Sequence, residues 1–295
     1  MKPRMKPALA VVCALLSMGQ AVRRPFKSDP PKMCQACPGW NKDRDPIRIY
    51  GDTYYVGTAG LSSVLITSGR GHILIDGGLA QSAELIDRHI RKLGFKTEDV
   101  KLIVNSHSHY DHAGGIHALQ AASGARVALS RPAAEALRRG ENTVDDPQYG
   151  FGHDSNAFPP VTFAHVIHDG DVLNVGALAI TAHMTPGHTP GGTTWTWKSC
   201  EGVRCLDIVY ADSLNAISAP GFKYTNDPAR VAAFRKSIAT VASLPCDIVL
   251  APHPNLIRFE AKAAAKSFVD PQGCREYAAQ AKKTLDERLA SEQKP

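Results

Sequence analysis

The 295-residue sequence contains no stretch of disordered composition and no flexible linker, which argues for one folded domain rather than an array or a tethered tail. It has no basic groove: Arg138-Arg139 and Lys282-Lys283 are isolated pairs, read as solvated helix faces, so nucleic acid is not an expected partner. Its early apolar run, Ala8 to Met18, falls short of the roughly 20 residues that a membrane-spanning helix requires. What it does have is apolar side chain, 43% of residues, enough for a sizeable core.

Lys2, Arg4 and Lys6 precede the Ala8 to Met18 run, and Gly19-Gln20-Ala21 puts small residues at the −3 and −1 positions. This layout predicts a signal peptide over 1–21, one domain over 22–295 and a periplasmic location free of the membrane. A short membrane anchor is the competing reading, opposed by the length of the run. Cys13 follows Ala10-Val11-Val12 rather than a Leu-small-small pattern, so lipidation is not expected. Without the leader, the net charge falls from +6 to +3. Six cysteines remain, an even number that suits disulfides in an oxidising compartment, although the count does not fix their pairing. Cys34-Gln-Ala-Cys37 is also compatible with a redox or zinc motif.

Residues 22 to about 46, rich in Pro, Lys and Asp, read as an extended arm. Ser63 to Thr67 and His72 to Asp76 form a hairpin around Gly69-Arg70-Gly71. Ala83 to Leu93 has helical apolar spacing, and Val100 to Val104 suits a buried strand. A helix follows Gly114-Gly115, a strand covers Arg126 to Ser130, and Pro132 opens another helix. Residues 140 to 160 form a long loop, a length that is often functional. The grammar then repeats: a hairpin from Val172 to His183, strands over Thr193 to Trp197 and Asp207 to Ala211, a helix from Pro228 to Leu244, a strand from Asp247 to Ala251 and a helix from Gly273 to Leu289. Two such halves suggest sheet on sheet with helices outside.

The strongest chemical signal is Ser106-His107-Ser108-His109-Tyr110-Asp111-His112, directly after an apolar strand. Imidazole and carboxylate are good zinc ligands, and so many in one loop are costly unless something binds them. Were the stretch extended, alternation would put His107, His109 and Asp111 on one side and His112 elsewhere, so one strand end would serve two adjacent metals. Thr185-Pro186-Gly187-His188 and Pro252-His253-Pro254 are weaker signals alone. All three elements share one place, the residue just beyond a strand, where α/β sites assemble. His72, His89, His117, His153, His165, His168 and His183 lack a partner motif and are expected to be structural or exposed.

With HxHxDH, Pro-Gly-His and a late His in place, the chain resembles the metallo-β-lactamase superfamily from about Tyr50 to Leu289, with Asp76-Gly77-Gly78 matching its first motif. Gly187-His188-Thr189-Pro190-Gly191-Gly192, Thr194-Trp195-Thr196-Trp197, Tyr210-Ala211-Asp212-Ser213-Leu214 and Leu244-Pro245-Cys246-Asp247 resemble the third subclass of the β-lactamases themselves. The resemblance implies an α/β fold, the four-layer αββα sandwich, and two zinc ions per chain. His107, His109 and His188 would hold one ion. Asp111, His112 and His253 would hold the other, with Asp111 also the catalytic residue. Ser213 stands where other subclasses have a cysteine ligand. The resemblance also implies disulfides Cys200–Cys205 and Cys246–Cys274, which leaves Cys34 and Cys37 joined or unpaired. Asp76 is expected to hydrogen-bond near a ligand rather than bind metal.

The implied reaction is hydrolysis of the β-lactam ring of penicillins, cephalosporins and carbapenems by zinc-bound hydroxide, conferring antibiotic resistance. Ser213, Ser218 and Gln148 are the expected substrate contacts, and the enzyme is expected to be a monomer acting on a small molecule. The only Ser-x-x-Lys is Ser291 to Lys294, at the far end of the chain, so acylation of a serine is not expected. A lactonase or a glyoxalase II-like thioesterase is the alternative on the same fold. Asp212 is the discriminating residue. In glyoxalase-type enzymes the matching aspartate bridges both metals, whereas here it is expected to play a supporting part.

Overall fold

The computed structural model describes residues 26–294, so the expected signal peptide lies outside the described residues. Among the described residues, twelve strands form two sheets. The first holds β1 (Ile47–Tyr50), β2 (Thr53–Tyr55), β3 (Val64–Ile66), β4 (His72–Ile75), β5 (Val100–Val104), β6 (Arg126–Ser130) and β7 (His165–Ile167), in that order. The second holds β8 (Val172–Val175), β9 (Leu178–Met184), β10 (Thr193–Glu201), β11 (Arg204–Tyr210) and β12 (Ile248–Leu250), ordered β12-β11-β10-β9-β8. Neighbours β1 to β4 pair antiparallel, whereas β4 to β7 run parallel through helical crossovers.

Nine α-helices complete the described residues: α1 (Cys37–Trp40), α2 (Ser82–Lys92), α3 (Tyr110–Ala113), α4 (Ile116–Ser123), α5 (Arg131–Arg139), α6 (His153–Asn156), α7 (Pro228–Ser243), α8 (Phe259–Ala264) and α9 (Gly273–Glu292). Strand alternation explains the layers. Val64, Ile66, Ile73, Ile75, Leu102 and Val104 face the second sheet, where they meet Ile180, Trp195 and Ile208. Leu65, Leu74 and Ile103 face outward and are covered by Ile86, Ile90, Ile116, Leu119 and Leu137 from α2, α4 and α5. On the far side, α7 and α9 bring Phe234, Ile238, Ala281 and Leu285 to the second sheet. Strands buried on both faces read as continuous apolar runs, which is why Val100–Val104 stood out. Each fully buried Leu, Ile or Val contributes roughly 1.5–3 kcal/mol relative to exposure, so this four-layer αββα stack is a rigid platform. The core is also tied across its sheets by polar links, since Trp195 Nε1 donates to Asn105 O at 3.0 Å and Trp197 Nε1 to Thr53 Oγ1 at 2.9 Å.

The structure departs from the sequence expectations in a few places. The arm over 22 to about 46 is not wholly extended, because α1 interrupts it, and β1 begins within its margin. The 140 to 160 loop carries a 3-10 turn (Tyr149–Phe151) and α6. Helix α8 was not expected at all. Among the described residues three disulfides are present, Cys34–Cys37, Cys200–Cys205 and Cys246–Cys274, so the first pair is neither free nor a zinc motif. Among the described residues, no helix is long and apolar enough to cross a membrane.

Candidate metal centre

The parallel strands β4 and β5 and the second-sheet strands β9 and β12 end on one side of the molecule, and the loops just past β5, β9 and β12 deliver the histidines there. Asp76 organises the first loop. It follows β4 with φ of 61°, a left-handed conformation that Asp tolerates better than most residues. Its carboxylate accepts from Asn105 Nδ2 (2.8 Å), Ser106 N (2.6 Å), Ser106 Oγ (2.7 Å) and Tyr210 OH (2.7 Å). Fully buried and so bonded, it fixes the backbone that launches His107 and takes the role expected of it. Its pKa is pushed up by burial, against the pull of His112 and the donors on Ser106 and Tyr210. Past β9, Gly187 is required because a side chain there would run into the Phe234 ring, so the backbone carrying His188 presses directly on α7.

The six candidate ligands fall into two groups, His107–His109–His188 and Asp111–His112–His253, the ligand atoms within each lying within 4.8 Å of one another. Adjoining rings of the two groups, His107 and His112, have centroids 4.5 Å apart. Asp111 Oδ2 lies 3.2 Å from His112 Nε2 and 3.4 Å from His253 Nε2. The alternation argument is corrected here. The chain leaves the extended conformation after His109 and forms α3, and that helical turn carries Asp111 away from His107 and His109 to join His112.

Four of the five imidazoles have one nitrogen engaged by a group outside the cluster. Asp212 Oδ1 lies 2.8 Å from His107 Nδ1, Asp146 Oδ2 3.1 Å from His109 Nε2, Asn215 O 2.8 Å from His188 Nδ1, and Gly60 O 3.3 Å from His253 Nδ1. The opposite nitrogen of each is thereby left for the cluster interior, the arrangement by which outer partners orient metal-bound histidines. Burial, then the neighbouring His112, His188 and His109, hold His107 well below the usual imidazole range. Burial and His109 bring His188 down to about 3. Burial also pushes Asp212 well up. For His109, burial pulls downward but the charge and hydrogen bond of Asp146, with Asp111, outweigh it, and the net shift is up. For Asp111, burial pushes upward, but His112 and His253 outweigh it and hold it well below the carboxylate range.

These residues fit a metal pair. His107 Nε2 and His112 Nδ1 are buried without a hydrogen-bond partner, and His112 Nε2 faces only the Asp111 carboxylate at 3.2 Å, a costly state unless something positive sits among them. Neutral imidazoles and an ionised carboxylate are the ligating forms, and burial drives His107 and His188 to the neutral form.

A cavity of about 350 Å³ opens over both groups, lined by His109 and His188 of the first and all three residues of the second, with Trp40, Tyr110, Ile217 and Leu256 as apolar walls and Gln148 and Ser213 as polar ones. Ser213 Oγ is buried and unpartnered. Ser218 is outside this lining, its Oγ accepting from Arg288 Nη2 at 2.8 Å. A larger cavity of about 810 Å³ lies at the opposite ends of β4 and β5, around His72 and Lys101, and holds none of the clustered ligands. The remaining histidines are where the sequence left them. His89 is buried between Val56 O (2.9 Å) and Asp43 Oδ1 (2.8 Å), and His117, His153, His165 and His168 are exposed. Sequence reasoning missed Asp146 and Trp40. The long loop was a pointer to the first, but no spacing links it to His109.

Two β-sheets back to back under helices, with paired histidine-rich metal positions at one edge, define a metallohydrolase of the αββα class. Residues 57–253 match the model of the Metallo-beta-lactamase superfamily, and the chain belongs to that superfamily. Among solved structures it is similar to Rm3 metallo-beta-lactamase, with 51% identity over 89% of this chain and 100% of that one and a TM-score of 0.85. It is similar as well to MEM-A1, a subclass B3 metallo-beta-lactamase from a soil metagenome library, with 48% identity over 86% of this chain and 98% of that one and a TM-score of 0.82. A curated relative, the acyl-coenzyme A thioesterase MBLAC2 of Homo sapiens, is 32% identical over 38% of this chain and 43% of its own length. The chain thus spans less than half the length of that relative.

Proposed function

We propose that this protein is a zinc-dependent β-lactamase, a monomer in the periplasm after loss of residues 1–21, with 22–295 as one domain, conferring resistance to penicillins, cephalosporins and carbapenems. The observation that carries the reading is the 51% identity to a metallo-beta-lactamase over the whole of that chain, joined to a ligand set without cysteine. His107, His109 and His188 would hold one zinc ion, and Asp111, His112 and His253 the other. Two zinc ions supply, when bound, a hydroxide at neutral pH and positive charge for the oxygen and nitrogen of the opening amide. The chain's own residues supply orientation and an apolar wall. Asp76 fixes the His107 loop, and Asp212 and Asn215 O set the ring faces of His107 and His188. Asp111, as the catalytic carboxylate, is held ionised between His112 and His253. Trp40, Tyr110, Ile217 and Leu256 give the cavity apolar walls against which the non-polar part of a substrate can pack. Ser213 Oγ is free to donate to a substrate carboxylate, and Gln148 offers an amide from the long loop.

Thioester hydrolysis is the second reading, favoured by the similarity to MBLAC2. Asp212 speaks against the bridged site of glyoxalase-type enzymes, because its Oδ1 lies against His107 Nδ1, the nitrogen turned away from the cluster. Turnover of a penicillin, a cephalosporin, a carbapenem, a lactone and a thioester by the zinc-loaded protein tests this. Cleavage of β-lactams foremost is expected, and thioester cleavage with intact β-lactams would reject the proposal.

A further inference from the structure

Asp146 lies in the long loop after α5 and is almost fully buried. Its Oδ2 is 3.1 Å from His109 Nε2, and its Oδ1 accepts from Gln148 N at 2.7 Å. Gln148 is the part of this loop that lines the cavity over the candidate metals. The turn between them is held from outside as well. Ala219 N donates to Pro147 O at 2.9 Å, Asn156 Nδ2 to Gln148 O at 3.1 Å, and Arg230 Nη2 to Asp145 O at 2.6 Å.

We propose that Asp146 is a positioning residue that ties the substrate-facing loop to the first metal position, one oxygen fixing His109 and the other fixing the backbone of Gln148. This rests on the reading of His107, His109 and His188 as ligands. With Nε2–H donated to Asp146, His109 presents the bare lone pair of Nδ1 to the cluster. An ionised carboxylate accepts at both oxygens, so it alone serves both donors. An amide in its place has one oxygen. Turned to Gln148 N, it sets an NH2 against His109 Nε2 and forces the ring proton onto Nδ1, the atom needed by the metal. Turned to His109, it sets the NH2 against the Gln148 N–H. Loop and metal are therefore linked, and the linkage is reciprocal: a ligand that orders Gln148 favours metal at His109 by the same factor that metal favours the ligand.

The test measures zinc affinity of the metal-free chain by competition with a chromogenic chelator, with folding checked by circular dichroism. Asp146→Asn is expected to bind its first zinc about 10–100-fold more weakly, the usual loss when an outer partner of a ligand is removed, and Asp146→Glu to recover most of it. Once zinc is saturating, Asp146→Asn is expected to keep a raised KM, because the Gln148 turn is disturbed. Wild type binding two zinc ions and Asp146→Asn binding both with unchanged affinity would overturn the proposal while leaving the metal reading intact. Wild type binding no zinc, or His107→Ala binding it as wild type does, would remove the metal reading itself. Should Asp146→Asn fail to fold, nitrogen-15 spectra of the zinc-loaded wild type decide: zinc on His109 Nδ1 with a proton on Nε2 is expected, and zinc on Nε2 overturns the inference.

Discussion

Asp212 Oδ1 lies 2.8 Å from His107 Nδ1, with both side chains fully shut off from solvent. The pair leaves His107 Nε2 buried, unpartnered and available to a metal. Gly192 is what makes room for it, since a β-carbon there would collide with Asp212 Oδ2. Asp212→Ala and Gly192→Ala are therefore both expected to weaken zinc binding at the first position about 10–100-fold, the second through a displaced carboxylate. Chelator competition on the folded variants checks this. A zinc-loaded crystal structure with an Asp212 oxygen about 2.0–2.2 Å from an ion would reverse the assignment and favour a thioesterase.

The HxHxDH segment was legible because its residues are contiguous and chemically costly without a ligand. His188 and His253 could be found only through their shared place beyond a strand. Of the groups that hold the ligands in place, Asp76 and Asp212 were anticipated from the motifs they sit in, and the others were not. Gly60 O and His253 are 193 residues apart, and Asp146 and His109 are 37 apart, so only the folded chain reveals them. The resemblance implied the grouping of Asp111 with His112 and His253, but strand alternation misplaced it because α3 starts at Tyr110 and breaks the alternation. Strand β1 was missed because Ile47–Tyr50 abuts a stretch rich in Pro, Lys and Asp, and the short α8 because nothing marks its start.

Chelation is expected to abolish activity, and active protein to contain about two zinc ions per chain, because ligand histidines this buried gain nothing by emptying. Elemental analysis and activity after exhaustive dialysis against chelator measure both. Full activity in zinc-free protein would sink the reading, as would stoichiometric labelling of a serine by a β-lactam seen by mass spectrometry.

Cys246–Cys274 closes a sequence separation of 28 and joins the segment before β12, and so before His253, to the start of α9. Replacing both by Ala should cost roughly 3–4 kcal/mol of stability, mainly by freeing the unfolded chain. Urea unfolding of wild type and double variant gives the difference, and a loss under about 1 kcal/mol would contradict that model.

His72, at the start of β4, titrates below the ordinary imidazole range because of its burial, despite the Gly71 backbone bond and Asp99. A lowered folded pKa means that, as pH falls, the unfolded chain takes up the proton first. The stability tied to a neutral His72 is thus complete above about pH 6.5, the unfolded value, and is lost as pH falls from there toward the lower folded value. Wild type is expected to lose stability relative to His72→Gln as pH falls below about 6.5, with a constant difference well above that value. Parallel denaturant titrations that showed the opposite slope would refute the assignment.

Ser213 and Ser218 are five residues apart on one segment, yet their hydroxyls have different fates. Ser218 Oγ already accepts from Arg288, whose guanidinium also bonds Phe222 O and Glu292, so it belongs to a scaffold between this segment and α9. Ser213 Oγ is buried at the cavity edge with no partner, and a buried hydroxyl left unsatisfied costs about 1–3 kcal/mol. A substrate carboxylate that accepts its proton recovers that cost and adds a charge-assisted bond. Ser213→Ala should then raise KM for carboxylate-bearing β-lactams by about tenfold or more, with kcat little changed, the signature of lost ground-state binding. Ser218→Ala should leave KM within about twofold, since its hydroxyl is outside the cavity lining and is already bonded to Arg288. Steady-state kinetics on one penicillin and on its methyl ester separate the two roles. The ester should be insensitive to Ser213→Ala, and equal losses for acid and ester would show that the hydroxyl serves packing and not the substrate.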